Sequence, residues 1–293
     1  MDNGQITKLT FEIDAAANKQ KLGDYLFDNL RDLSKMYLRA LVRDGKCEVN
    51  GAHVNSGYRL RERDFIEIEA DLSRGTAMRP EDISLDIIFE DAELIVVNKL
   101  EGMLVHPSHR DKNGTLLNAL SFYLNLSSEK LIRPGLPHRL DKQTSGLIVV
   151  AKTARAHRIL SGHFMKKRVE KLYLALVEGV VEADEGSMNA PIGRFAELKY
   201  WGVKDGGKLS ETKYRVRERF ADTTLLELEP VTGRTNQLRI HCEMIGHPIV
   251  GDTARGGREF ERLCLHAYRL AFPHPSGGER VEFQSDFPAG FAL

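Results

Sequence analysis

Two short apolar runs, "ELIVVNK" from Glu93 and "GLIVVAKT" from Gly146, are bounded by polar residues and have the length of strands rather than helices. The second is entered through "HRLDKQTS", so that Gly146 stands where the chain must bend sharply or approach a neighbour closely. Leu147-Ile148-Val149-Val150 then reads as a buried strand with Asp141 at its mouth. Arg139 and Lys142 flank that aspartate, and two cations hold a carboxylate ionised near neutral pH. A loop aspartate in a structural salt bridge has the same neighbours. The rest of the chain has to separate the two readings.

Further strand patterns occur in "KLYLALVEG", "TKYRVRERF" and "TTLLELEPV", and helical spacing in "TLLNALSFYLN", "TARAHRILSGHFMKKR" and "TNQLRIHCEMIG", the last ending at Gly246. Strands and helices do not alternate regularly, so an α+β fold is expected rather than a doubly wound one. Residues 19–70 have the pattern of a compact α/β module. "KLGDYLFDNL" and "SKMYLRALVRDG" read as helices, the second capped by Ser34 and stopped at Gly45. "KCEVNGAHVN" is a hairpin about Asn50-Gly51, and "RLRERDFIEIEA" a further strand. Residues 71–80, "DLSRGTAMRP", read as a linker, which leaves 81–293 as a second domain.

The 42 basic and 42 acidic residues cancel, but they are segregated along the chain. Lys152 to Lys171 carries Lys152, Arg155, Arg158, Lys166, Lys167, Arg168 and Lys171 against Glu170 alone. Glu81 to Glu93 carries acids and no Lys or Arg. A basic run is either a solvated helix face or a surface for nucleic acid; in the second case Lys166, Lys167 and Arg168 contact RNA. No apolar run reaches membrane-spanning length, and the first residues lack the features of a secretory or transit signal, so a cytoplasmic protein with no membrane partner is expected. Cys47, Cys242 and Cys264 are an odd, widely spaced set, which implies a reducing compartment and buried structural thiols rather than a disulfide framework or a metal site.

Leu22, Tyr25-Leu26, Ser34-Lys35, the turn from Gly45 to Gly51 and Asp64-Phe65-Ile66-Glu67-Ile68 together resemble an S4 domain, a small RNA-binding module. The resemblance implies that the second helix presents Lys35, Arg39, Arg43 and Lys46 to RNA. Helical spacing puts the first three on one face.

"HRLDKQTSGLIVVAKT" closely resembles the signature of pseudouridine synthases of the RluA family. "VVNKLEGMLVHPS" precedes it, and "KLYLALVEG", "APIGR", "TKYRV", "VTGRTNQLRIHCEMIGHPIVGD" and "LHAYRLAFPHP" follow in the family's order. The resemblance implies a mixed, mainly antiparallel-sheet catalytic domain that isomerises a uridine within structured RNA, without metal or cofactor. It implies that Asp141 is the catalytic residue, that Arg234 pairs with it, and that Tyr173 stacks on the base. Arg139 would fill the space left by the extruded nucleotide, and Leu265 would line the uracil pocket. Two places depart from the pattern: Asn236 stands where the family usually has His, and "TARGGREFERL" follows "GHPIVGD" where Tyr-Gly is common. An S4 module beside this domain implies large-subunit ribosomal RNA as the partner of a monomeric enzyme. A transfer-RNA synthase and a non-catalytic RNA-binding or assembly factor are the alternatives. A hydrolase using Ser145 or Asp141 is a remoter one, since no G-x-S-x-G elbow is present.

Overall fold

The computed structural model describes residues 6–30, 32–73, 79–108, 111–126, 132–198, 200–288 and 291. The chain divides into two compact units, one ending at Arg79 and the other beginning at Pro80. Residues 74–78, the middle of the expected linker, lie outside the described residues.

The first unit runs β1 (Ile6–Glu12), α1 (Leu22–Asn29), α2 (Lys35–Arg43), β2 (Cys47–Val49), β3 (Ala52–His53) and β4 (Phe65–Asp71). Its sheet has the order β1-β4-β2-β3. Ser34 caps α2 by accepting from the Tyr37 N–H at 3.1 Å. Asn50 and Gly51 take the positive φ of a tight hairpin turn. Strand β1 lies before the expected start at Lys19 and pairs along its length with β4. Its residues alternate between exposed and half-buried, and none is fully buried, so it carries little apolar signature. The strand expected from Arg59 begins only at Phe65. Arg63 has φ 69°, and the buried Asp64 carboxylate accepts from the Arg61 N–H and Asn50 Nδ2, both at 2.8 Å, folding this stretch into a turn.

The second unit is α+β: a ten-stranded sheet, mainly antiparallel, with helices on it. Along the chain come β5 (Ile87–Glu90), β6 (Leu94–Lys99), α3 (Leu116–Tyr123), β7 (Ser145–Ala151), α4 (Ala154–Met165), β8 (Glu170–Glu178) and β9 (Glu185–Phe195). There follow β10 (Tyr200–Val203), β11 (Lys208–Arg219), β12 (Thr223–Pro230), α5 (Gln237–Met244), β13 (Leu265–Pro273) and β14 (Arg280–Gln284). The spatial order is β10-β9-β11-β12-β8-β13-β7-β6-β5, with β14 beside β13. The two apolar runs are the neighbours β6 and β7. Alternate residues serve opposite faces: Leu94, Val96, Leu147 and Val149 pack with Ala156 and Leu160 of α4, whereas Ile95, Val97, Ile148 and Val150 pack with Leu116 and Leu120 of α3. Strands covered on both sides need apolar residues at every position, which is why these runs show no polar alternation. Helix α4 stops at Met165 and Lys167 has φ 53°, so Lys166, Lys167 and Arg168 form the turn into β8 instead of continuing the helix.

Candidate active site

Strands β7 and β13 are parallel neighbours, pairing Ser145 with His266 and Gly146 with Ala267. Gly146 has φ 114°, and a Cβ there would lie 2.3 Å from the Ala267 carbonyl oxygen. Only glycine permits this approach. It brings the Asp141 loop against the start of β13, where Leu265 is 3% exposed. On the other side of β13, Ala267 faces Tyr173 of β8. Asp141, Tyr173, Leu265, Arg139, Lys167 and Arg234 thereby line one cavity of about 780 Å³, within the size range of small-molecule sites. Arg139 is exposed and Asp141 half-buried. Lys166 and Arg168 flank Lys167 in the turn but do not line the cavity.

The Asp141 loop is held from beneath by a residue that the sequence motifs did not single out. Lys99 is 1% exposed, and its ammonium donates to the carbonyls of Leu100 (2.7 Å), Met103 (2.9 Å) and Lys142 (3.2 Å). Burial pulls its pKa down to about 8, against the opposing pull of Asp141. A charged residue closing an apolar strand run was the available signal. His138 supports the loop from the other side: its Nε2 accepts the Val149 N–H at 3.1 Å, and its ring stacks on Phe164 at 4.5 Å. Burial lowers its pKa to about 3, so the ring is the neutral acceptor this bond requires.

The expected pairing of Asp141 with Arg234 is corrected by the structure. Arg234 Nε and Nη2 both donate to the Leu209 carbonyl at 3.2 Å, on the cavity rim. The loop is set by Gln237, whose Oε1 accepts from Thr232 Oγ1 (2.7 Å) and the Arg234 N–H (3.0 Å), while Nε2 donates to the Glu211 carbonyl (2.9 Å) and Thr212 Oγ1 (3.0 Å). Asn236 holds φ 54° and ψ 22°, a left-handed conformation that asparagine tolerates well, and α5 starts after it. The arginine that this turn carries to the inner wall is Arg239. It lines the same cavity and gives both its Nε and Nη2 to the buried Asp252 at 2.6 Å each. Burial opposes its charge, but the bonds to Asp252 and the negative charges of Asp252 and Asp141 together raise its pKa. "GRTNQLR" contains both arginines, and only the helix start separates their directions.

Burial, and then the charge of Asp141, push the Tyr173 phenol well above its ordinary value, so it remains a neutral O–H. The cavity thus joins a carboxylate, a neutral phenol, a guanidinium and an apolar wall. Ser145 does contact a histidine, His266 Nδ1 at 2.7 Å, but both are buried and the other ring nitrogen meets the Ser285 hydroxyl at 2.7 Å. Without a carboxylate to orient the ring or access for substrate, this is no hydrolase triad. Cys47, Cys242 and Cys264 are buried, and among the described residues no cluster of His, Cys, Asp or Glu could hold a metal ion.

The first unit has its own cleft, lined by Arg39, Arg43, His53, Asn55, Ser56 and Tyr58 among others. Lys35 pairs with Asp24 (3.0 Å), Arg43 with Asp44 (2.8 Å) and Lys46 with Glu69 (3.4 Å). Arg39 is exposed and makes no such pair among the described residues. In the second unit the segregated charges partly close on each other: Lys152 binds Glu90 at 2.6 Å and Arg155 binds Glu93 at 3.3 Å.

Residues 93–244 match the family described as RNA pseudouridylate synthase. The chain is 37% identical to an uncharacterised RNA pseudouridine synthase, YlyB, of Bacillus subtilis (strain 168), over 96% of each chain. It is also 37% identical to ribosomal large subunit pseudouridine synthase D of Pseudomonas aeruginosa, over 88% of this chain and 85% of that one. Among solved structures, human RNA pseudouridylate synthase domain containing 1 superposes with a TM-score of 0.60 at 29% identity, covering 73% of this chain and 86% of that chain.

Proposed function

This chain belongs to the RNA pseudouridylate synthase family and is an RNA-modifying isomerase, and we propose that it acts through Asp141 on a uridine of large-subunit ribosomal RNA. The observation that carries the catalytic part is the meeting of Asp141, Tyr173, Leu265 and Arg239 in one cavity. The reaction breaks the N1–C1′ bond, turns the uracil and joins C5 to C1′. The C5 proton leaves and N1 gains one, so no redox partner enters. Cleavage builds positive charge on the sugar, and the Asp141 carboxylate stabilises it. Arg239 lines the same cavity and sets a positive charge near that carboxylate. Tyr173 offers the base a flat face and, at its tip, a hydroxyl for proton exchange. A stacked nucleotide must first be extruded, at a cost of a few kcal/mol; Arg139, on the exposed rim, stacks in the space it leaves.

The ribosomal part is supported by relatives named ribosomal large subunit pseudouridine synthase D. The ordered motifs support the RluA type. The first unit is read as an S4-like RNA-binding module that presents Arg39 and the neighbouring Lys35, Arg43 and Lys46, and the enzyme as a monomer of the cytoplasm. Lys166, Lys167 and Arg168 extend the RNA surface beyond the cavity. The test maps pseudouridines by chemical adduct and reverse-transcription stops in cells with and without the gene. A stop lost from large-subunit ribosomal RNA, and not restored by an Asp141→Asn gene, is the expected result. Loss only from transfer RNA overturns the substrate; restoration by the variant overturns the role of Asp141.

A further inference from the structure

Behind Arg239 lies a row of charges, two of them buried, to which the reaction as described assigns no part. Asp252 is 2% exposed and takes Arg239 on both its oxygens. Beside it stands a second guanidinium, Arg255, whose Nε lies 4.0 Å from Asp252 Oδ2 and whose side chain is 2% exposed. Arg255 is anchored at its far end. Nη1 donates to Glu243 Oε2 at 2.5 Å and to the Tyr200 hydroxyl at 2.7 Å, Nη2 donates to the Trp201 carbonyl at 2.8 Å, and the group lies over the Tyr200 ring at 4.8 Å. Its Nε finds no hydrogen-bond partner among the described residues. Arg239, Asp252, Arg255 and Glu243 therefore alternate in sign from the cavity wall outward.

We propose that Arg255 is a positioning residue for the isomerisation, acting through Asp252 on Arg239. This rests on the proposed function, in which Arg239 shares the cavity with Asp141 and interacts with its charge. A buried carboxylate pulls on every cation within reach, because little water screens it. With Arg255 pinned to β10 and α5, Asp252 is attracted by two fixed guanidiniums and stays where both hold it. Without Arg255 the row would be a net anion, Asp252 and Glu243 against Arg239 alone. The Arg239 guanidinium would then be drawn back from Asp141. The attraction across 4.0 Å without a hydrogen bond is what a brace requires: it fixes Asp252 in place while leaving both of its oxygens to Arg239. The residue sits in "TARGGREFERL", just after "GHPIVGD".

The test uses the full chain and a large-subunit ribosomal transcript tritiated at uridine C5, whose release to water reports turnover. Lysine keeps the charge of Arg255 but cannot serve Glu243, Tyr200 and Trp201 together. Arg255→Lys is therefore expected to bind the transcript within about twofold of wild type while its single-turnover rate falls about tenfold or more. In a double-mutant cycle, Arg239→Lys with Arg255→Lys should be little slower than Arg239→Lys alone, because the second change acts only through the first. A wild-type rate for Arg255→Lys, effects that multiply, or a rate loss matched by weaker binding would each overturn the proposal. Loss of the folded circular-dichroism spectrum in Arg255→Lys would also overturn it, by making Arg255 a folding element. Tritium release by Asp141→Asn would instead overturn the underlying catalytic reading, and so is told apart.

Discussion

The first unit and the second both carry cations, but they hold them differently. In the first, Lys35, Arg43 and Lys46 form surface pairs with side chains 40–75% exposed. Such pairs contribute only about 0–1 kcal/mol each, so a phosphate can displace the carboxylate at little cost. In the second, Lys99, Arg239 and Arg255 are fixed by carbonyls and carboxylates under the strands, with no freedom to follow a ligand. A surface of exchangeable pairs suits binding to a long, variable polyanion. A buried framework suits chemistry, because its charges are in place before the substrate arrives.

The sharpest break between the two would come from Asp141→Asn, nearly isosteric but uncharged. Single-turnover tritium release should fall by about 10³-fold or more, with RNA affinity and melting temperature close to wild type; near-normal release would erase the distinction. Arg239→Lys keeps one charge and loses the fork, and should slow the reaction by between about 10² and 10³-fold, whereas Arg234→Lys should cost far less. Equal losses would return Arg234 to the place the sequence suggested for it.

Lys99 tests the buried framework through pH. Burial sets its pKa at about 8 in the folded protein, against 10.5 for a lysine in open solvent. Between those values the unfolded chain binds the proton and the folded one does not, so this group makes stability rise with pH across that window. Compared with Lys99→Met by urea denaturation, the wild type should gain on the order of 3 kcal/mol from the lower to the upper of these two pH values. A pH-independent difference would mean that the ammonium is not desolvated.

At the binding end, replacing Lys166, Lys167 and Arg168 by Gln should lower affinity and flatten the logarithmic salt slope by about 0.7–0.9 for each phosphate that these side chains neutralise, leaving turnover at saturating RNA unchanged. An unchanged slope would make the turn a solvated one. Smallest of all, Arg39→Gln should reduce the slope by about one such increment, and Lys35→Gln by less, since Asp24 already competes for that ammonium. The reverse order would mean that pairing does not set availability.

The position of Asp141 at the mouth of a buried strand could be read from the sequence because its signals are local: cations beside it, a glycine, and an uninterrupted apolar run. Leu265 and Tyr173 could be read only by resemblance, since nothing in their own neighbourhoods shows that β13 lies between β7 and β8. Arg234, expected beside Asp141, bonds the Leu209 carbonyl instead for a conformational reason. One left-handed residue, Asn236, and four hydrogen bonds of the Gln237 amide turn Arg234 to the rim and Arg239 inward, and no spacing rule encodes that. Likewise, the partners of the basic run could not be read because the pairs Glu90–Lys152 and Glu93–Arg155 join residues about sixty positions apart.

The parallel contact of β7 with β13 also sets a clock. Ser145 cannot meet His266 until the ribosome has delivered both, and at about 5–20 residues per second the stretch from Asp141 to Leu265 takes roughly 6 to 25 seconds to emerge. Throughout that interval the apolar edge of β7 waits for its partner strand. Slow non-local pairing of this kind exposes a nascent chain to aggregation. A bulky residue at position 146 would then do its harm twice, blocking the site and prolonging the wait.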